Sequence, residues 1–312
     1  MSMKWESKIL LAKVEATYGI DATPTGAADA ILATNVRLSP MEGQDVDRNL
    51  ELPWTGDHRT IPAEKHMKLA FNVEMTPSGT EGVAPVWGGL MKGCGVAETI
   101  VADTSVTYNP ISSGQSSITL YLWIDSTLYK LRGARGTCVL RVNAQGIVYL
   151  EFEFTGLWTK PSETARATPT LTAQLEAKPL LATTATTPVF TIDDVSLVMR
   201  SFSLNFGNQV ENRFLIGAES IRITDNPAMI ETTVEAVPLT TLDPFGLAEA
   251  MEEVEVVLTH GTAAGLITTL EVQAAQMQRL TNIANQQKIK EWPLRLAAQP
   301  VTGNDQWTLT LT

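Results

Sequence analysis

Met67-Lys68-Leu69-Ala70-Phe71-Asn72-Val73-Glu74-Met75-Thr76 changes character at every step. In an extended chain successive side chains point to opposite faces. Met67, Leu69, Phe71, Val73 and Met75 therefore share one face, and Lys68, Ala70, Asn72, Glu74 and Thr76 share the other. Wound at 3.6 residues per turn, the same residues would scatter around a cylinder and bury nothing. The stretch reads as a strand with one face on a core.

The pattern spreads outward from there. Val148, Leu150, Phe152 and Phe154 alternate with Tyr149, Glu151, Glu153 and Thr155, and Ile118, Leu120, Leu122 and Ile124 with Thr119, Tyr121, Trp123 and Asp125. Ile221 and Ile223, then Ile230, Thr232 and Val234 against Glu231, Thr233 and Glu235, carry it into the second half. Val254, Val256 and Leu258 follow, and Trp307, Leu309 and Leu311 end the chain. Half-polar strands of this kind predict a mainly β protein of the antiparallel sandwich or barrel type. Helix signals are few. Pro85 leads a short one near 85–92, and Asp243-Pro244 caps and opens another over 244–252. The stretch 271–287 fits either helix or strand.

The order of elements recurs. Val73-Glu74 meets Val234-Glu235 at a spacing of 161, Trp87 meets Phe245 at 158, and Phe152 meets Leu309 or Leu311 at 157 or 159. Half of 312 residues is 156. Two tandem β-sandwich or barrel domains are predicted, each with a short flanking helix: residues 1–160 with an N-terminal arm over 1–33, and residues 161–312 with an arm over 161–193. Thr, Pro and Ala make up 19 of residues 161–192, a composition suited to an extended linker.

Composition excludes several functions. The formal net charge is −11, from 23 Lys+Arg against 34 Asp+Glu, which argues against gripping nucleic acid by phosphate neutralisation. No run approaches the ~20 apolar residues of a membrane helix, and the N-terminus lacks a signal-peptide layout. Cys94 and Cys138 build neither a disulfide framework nor a zinc site. His58, His66 and His260 have no metal-ligand spacing and read as solvated loop residues. Gly88-Gly89-Leu90-Met91-Lys92-Gly93-Cys94-Gly95 lacks the Ser or Thr of a P-loop and reads as a helix end closed by glycines. Asp45-x-Asp47-x-Asn49 lacks the glycine and terminal glutamate of a calcium loop. Neither a catalytic constellation nor a cofactor is predicted.

Long polar loops stand out instead. Residues 40–66 set Asp45, Asp47, Arg48, Asp57 and Arg59 among Leu52, Pro53 and Trp54. Mixed charge around an aromatic suits a partner-binding surface; a hairpin packed on its own domain is the simpler alternative. Its counterpart, 207–226, carries Glu211, Arg213, Phe214, Glu219 and Arg222.

Particular stretches resemble a known family. Glu6-Ser7-Lys8-Ile9-Leu10-Leu11-Ala12-Lys13-Val14-Glu15-Ala16-Thr17-Tyr18-Gly19-Ile20-Asp21-Ala22-Thr23-Pro24-Thr25 is similar to the N-terminal arm of tail tube proteins of bacteriophages with long, non-contractile tails. So is Ala27-Ala28-Asp29-Ala30-Ile31-Leu32. Ser201-Phe202-Ser203-Leu204-Asn205-Phe206-Gly207-Asn208-Gln209-Val210 with Arg213, then Asp225-Asn226-Pro227 and His260-Gly261-Thr262-Ala263-Ala264-Gly265, extend the likeness.

The resemblance implies rings of six tube domains, with inner sheets joined into a continuous barrel and rings stacked into a tube. The arm and long loop would reach the neighbouring ring. The lumen would house the tape measure protein and conduct DNA without sequence-specific binding. Tail terminator and distal tail proteins would close the ends. The virion tail would be the location, after synthesis in the host cytoplasm. With two tube domains per chain, a trimeric ring with pseudo-sixfold symmetry is favoured over a hexamer. Asn72, Glu74, Thr233 and Glu235 are the expected lumen-lining residues. Asp45, Asp47, Arg48, Leu52, Trp54, Asp57, Arg59, Glu211, Arg213, Phe214, Glu219 and Arg222 are the expected inter-ring contacts. A terminator or tip adaptor ring and a carbohydrate-binding β-sandwich are the alternatives.

Overall fold

The computed structural model describes residues 3–312. The protein is mainly β, with open antiparallel sheets consistent with a sandwich. The alternating strands found in the sequence lie side by side in one layer. Thr34–Asp47 pairs with Thr60–Glu74, that with Tyr149–Leu157, and that with Thr127–Asn143. Met199–Asn205 then joins Thr127–Asn143, and Met229–Glu235, Ile289–Ala298 and Thr268–Met277 follow in turn. This makes an eight-stranded antiparallel layer, with four strands from each half of the chain. Its apolar face carries Met67, Leu69, Phe71, Phe152, Phe154, Leu140, Phe202, Leu204, Ile230 and Leu294, all buried.

A second layer covers that face. In the first half Lys8–Val14 pairs with Ile118–Ile124, which pairs with the start of Thr127–Asn143. In the second half Val189–Ile192 pairs with Glu253–His260, which pairs along Thr268–Met277 from Thr268 to Gln276. In each half one long strand therefore serves both layers. Thr127–Asn143 does so by bending at Gly133, whose φ of +56° places it in the left-handed region. A Cβ there would lie 2.8 Å from the Tyr18 ring. The bend is tied by Glu15, which accepts from the Gly133 amide at 2.7 Å, from the Ser117 hydroxyl at 2.6 Å and from the Thr119 hydroxyl at 2.8 Å.

The same pairing order thus occurs twice, but with different matches from those the sequence spacing suggests. Tyr149–Leu157 corresponds in position to Ile289–Ala298, whereas spacing matches Phe152 to Leu309 or Leu311. Ile118–Ile124 corresponds to Glu253–His260. The cause is an insertion in the first half. Residues 96–110 form a hairpin, Val96–Val101 with Ser105–Pro110, and among the described residues nothing equivalent follows the second half's helix. The hairpin does not stay with its own half. Tyr108, Thr107 and Val106 pair with Leu309, Thr310 and Leu311 of the terminal strand.

The short helices fall near their expected places. Helix α1 spans Gly88–Gly93, begins on the glycine pair rather than at Pro85, and is followed by Gly95 at φ +70°. A third helix over Pro244–Ala250, α3, has the expected cap: the Asp243 carboxylate accepts from the Phe245 amide at 3.1 Å. Between them lies an unexpected one, α2, at Thr172–Glu176. It belongs to the Thr/Pro/Ala-rich segment, which is no free linker. Ser162-Glu163 adds to the edge of Thr127–Asn143. The Gln174 side chain accepts from the Leu32 amide and donates to the Ala30 carbonyl, each at 2.8 Å.

The N-terminal arm is also built in. Lys8–Val14 is a strand with apolar residues on both sides. Leu10 faces the main core, while Ile9 and Leu11 join Ala30, Tyr121, Trp123 and Leu128 in a second cluster beneath Ala167 and Leu171. Tyr121 and Trp123, expected on a polar face, are therefore covered. The ambiguous 271–287 stretch is extended at both ends: Thr268–Met277 is a strand, and Ala284–Gln286 turns back onto Ile289–Ala298. Two of the three histidines are buried rather than solvated. His66 lies in the strand next to Leu157, and His260 Nδ1 sits 3.0 Å from the Thr187 hydroxyl.

Candidate assembly surfaces

The uncovered face of the eight-stranded layer is the first surface. Strand alternation turns Lys68, Asn72, Glu74, Glu151, Glu153, Arg141, Ser201, Ser203, Glu231, Thr233, Glu235 and Arg295 onto it. Asn72 stands opposite Glu151 and Glu74 opposite Tyr149; Thr233 stands opposite Ser201 and Pro293, and Glu235 opposite Glu291. Glu74 and Glu235 are each the last residue of their strand and are half-buried. The face carries both signs of charge. Arg141 makes a two-pronged contact with Glu151 at 3.0 and 3.1 Å, and Arg295 pairs with Glu231 at 3.2 Å. Arg200 Nε lies 2.9 Å from both Glu291 oxygens, and this hydrogen bonding holds the Glu291 carboxyl below its ordinary range. Among the described residues, Glu74, Glu153 and Glu235 have no ion pair.

The second surface is a ribbon. Residues 40–66 are neither an unstructured loop nor a hairpin packed on its own domain. The strands Thr34–Asp47 and Thr60–Glu74 continue past the layer as a two-stranded projection in which Asp45 faces Pro62 and Asp47 faces Thr60. Arg48, Leu52, Trp54, Asp57 and Arg59 occupy its irregular tip. The tip is organised by His58, whose Nδ1 accepts from the Leu50 amide at 3.1 Å. Val46, Leu50, Leu52, Trp54 and Ile61 are all exposed, Trp54 at 67%. The end of the projecting ribbon thus carries a cluster of exposed apolar side chains rather than the scattered single ones of an ordinary surface.

The counterpart hairpin, Val210–Leu215 with Ala218–Ile223, behaves differently. It folds back onto the first half. Ile221 is buried; its amide lies 2.6 Å from the Tyr18 hydroxyl, and its carbonyl accepts from Arg135 at 3.0 Å. The Asn208 side-chain amide donates to the Cys94 and Gly136 carbonyls at 2.6 and 2.9 Å. Phe214 lies 6.3 Å from the His66 ring, so this expected contact residue already has a partner in its own chain. Glu211, Arg213, Glu219 and Arg222 remain exposed. Spacing alone missed His66, Tyr18 and Arg135 as the seat of this hairpin, because they come from three distant strands and loops.

Among the described residues, the layer has a half-polar face and open ends, and the ribbon projects past it. The family model described as phage tail tube protein matches residues 6–312. The chain belongs to the phage tail tube protein family. A comparison with curated proteins gives no match. As a member of the family the chain is a structural protein of the phage tail rather than an enzyme, and it assembles with copies of itself into the tail tube. Among the described residues, no helix is long and apolar enough to cross a membrane.

Proposed function

We propose that three copies of this chain close into a ring, and that such rings stack into the tube of a long, non-contractile tail. The observation that carries the reading is the eight-stranded layer with one apolar face, one polar face and two open ends. Its repeated pairing order supports two tandem tube domains, residues 1–160 and 161–312, with the segment 161–193 as a connector lying along the first. Ring closure also removes the exposed sheet edges that make isolated β-layers aggregate.

Geometry favours three chains over six. Strands lie about 4.8 Å apart and tilt by about 40° in a closed barrel. Twenty-four strands then give a barrel about 50 Å across, which leaves room for a duplex inside the lining side chains. Six chains would double that diameter, leaving a lumen far wider than a duplex or a tape measure protein requires.

In this reading Asn72, Glu74, Thr233 and Glu235 line the lumen, which houses the tape measure protein and later conducts DNA toward the host. Three arginine-paired glutamates and three free ones per chain leave the lining weakly acidic and free of unpaired basic clusters. Phosphates are repelled slightly and held nowhere. The ribbon 40–66 reaches the adjacent ring and buries Leu52 and Trp54 there, flanked by Asp45, Asp47, Arg48, Asp57 and Arg59. Exposed Glu211, Arg213, Glu219 and Arg222 add to the same interface. Terminator and distal tail proteins cap the two ends, and synthesis takes place in the host cytoplasm. Electron microscopy of the purified protein, with and without its tape measure partner, tests this: rings or tubes are expected, and a uniform population of monomers under every condition contradicts it.

A further inference from the structure

The layer's two ends differ from its middle in one respect. At the middle, the first half's Thr127–Asn143 is paired on both sides, because Met199–Asn205 of the second half lies along it. That junction runs Val139↔Asn205, Leu140↔Leu204, Arg141↔Ser203, Val142↔Phe202 and Asn143↔Ser201. At the ends, the equivalents of these two strands are half-paired among the described residues. Thr34–Asp47 pairs as a strand only with Thr60–Glu74, with the Lys8 ammonium 3.5 Å from the Val36 carbonyl, and the stretch 278–286 meets only Ile289–Ala298, through the Gln278 amide and through Ala284–Gln286.

Position in the layer identifies which residues are equivalent. Arg37 lies opposite Ala70, as Ser203 lies opposite Glu231. Ala70 and Glu231 occupy the same place when Glu74 is laid on Glu235. Arg37 therefore stands where Ser203 stands. On the other edge Arg141 lies opposite Tyr149, and Ala284 lies opposite Glu291. Tyr149 and Glu291 are the partners of Glu74 and Glu235. Ala284 therefore stands where Arg141 stands, and by the same route Leu280 stands where Val139 does. Between them, residues 281–283 carry two more residues than the facing strand needs, and Thr281, Asn282 and Ile283 are all exposed. The strand loses its regular form at the place where its counterpart is held by a second neighbour.

We infer that the internal junction is the template for the contact between copies: Arg37 of one chain lies opposite Ala284 of the next, and Ser39 opposite Leu280, in an antiparallel pair. The occupant of the open edge is a second copy of this chain, because the chain already supplies both halves of the same joint. The inference rests on the ring reading but adds a register to it. Leu38 would cover the irregular residues 281–283, and Val36 would continue the apolar face where Phe202 does at the middle.

Paired cysteines test the register in the full-length chain. Arg37→Cys with Ala284→Cys places the two thiols on facing Cβ positions about 5 Å apart. Cys94 and Cys138 are buried and do not compete. Oxidation of assembled protein is expected to give covalent dimers and closed trimers on a non-reducing gel. The slipped pair Arg37→Cys with Gln286→Cys, on the same face two residues on, is expected to give at least tenfold less. Efficient cross-linking of the slipped pair, or of neither pair in protein that forms rings, overturns the register and leaves the ring standing; unmodified protein that never assembles overturns both. Hydrogen exchange of the unmodified protein is a second readout: amides over 280–284 are expected to gain at least tenfold protection on assembly, and unchanged exchange there contradicts the inference.

Discussion

Leu140 and Leu204 face each other across the strand pair that joins the two halves of the layer, and both are buried. One comes from the first repeat of the pairing order and the other from the second. The contact makes one core of two, because the apolar faces on either side merge there without a break. Leu204→Ala removes buried methyl groups at this seam and is expected to cost about 2–5 kcal/mol. Urea unfolding should show a lower midpoint with an unchanged slope; an unaltered midpoint would mean the halves do not depend on this joint.

The bend at Gly133 is the next test. Its backbone is left-handed, and the Tyr18 ring fills the space a side chain would need. Gly133→Ala should cost about 1–3 kcal/mol from backbone strain alone, with a further penalty for displacing Tyr18. Thermal unfolding reads the loss. Gly56→Ala is the control, since a Cβ there meets nothing.

Glu15 holds that bend by accepting from two hydroxyls and the Gly133 and Gly19 amides. Glu15→Gln keeps the size but turns one acceptor into a donor facing other donors. A buried donor left without an acceptor costs about 1–3 kcal/mol, and denaturant unfolding of the variant should show a loss of that order.

Acid should loosen the turn before the last strand. The Asp305 carboxylate accepts from the Thr302 hydroxyl and from the Thr302, Gly303 and Val301 amides, which holds its pKa down to about 2. The folded value lies below the ordinary one of about 4. The resulting stability is present above about pH 4 and is lost as the pH falls toward 2. Carboxyl carbon chemical shifts should place the Asp305 midpoint near 2, and Asp305→Asn should remove this part of the acid sensitivity.

Much of the fold was legible because half-buried strands announce themselves. Phe71, Phe152, Val234 and Leu258 lie where their alternation puts them. Three features were hidden for physical reasons. Lys8–Val14 is apolar on both faces, so no alternation marks it as a strand. The Thr/Pro/Ala-rich segment docks through the Gln174 side chain and backbone bonds, which composition does not reveal. The Val96–Pro110 hairpin shifts every later spacing, so matching Phe152 to the terminal strand followed length rather than pairing. Of the expected surface residues, Glu74 and Glu235 fall at matching strand ends. Trp54 and Leu52 are exposed on the ribbon, and Phe214 lies beside the ring of His66, which is far from it in sequence.

Removing residues 42–60 and closing the ribbon with a two-residue turn should leave the subunit folded, since its side chains bury little within the chain. Circular dichroism should be close to that of the full chain, while stacked tubes should be absent in micrographs. Normal tubes from this deletion would end the ribbon's proposed role between rings.

The most direct measurement is the rotational symmetry of the assembled tube by electron cryomicroscopy. Three copies of the 33.9 kDa chain per ring, related by true threefold symmetry and enclosing one continuous barrel of twenty-four strands, are the predicted result. Six chains per ring, or a lumen lined by any face other than the one bearing Glu74 and Glu235, would contradict the account.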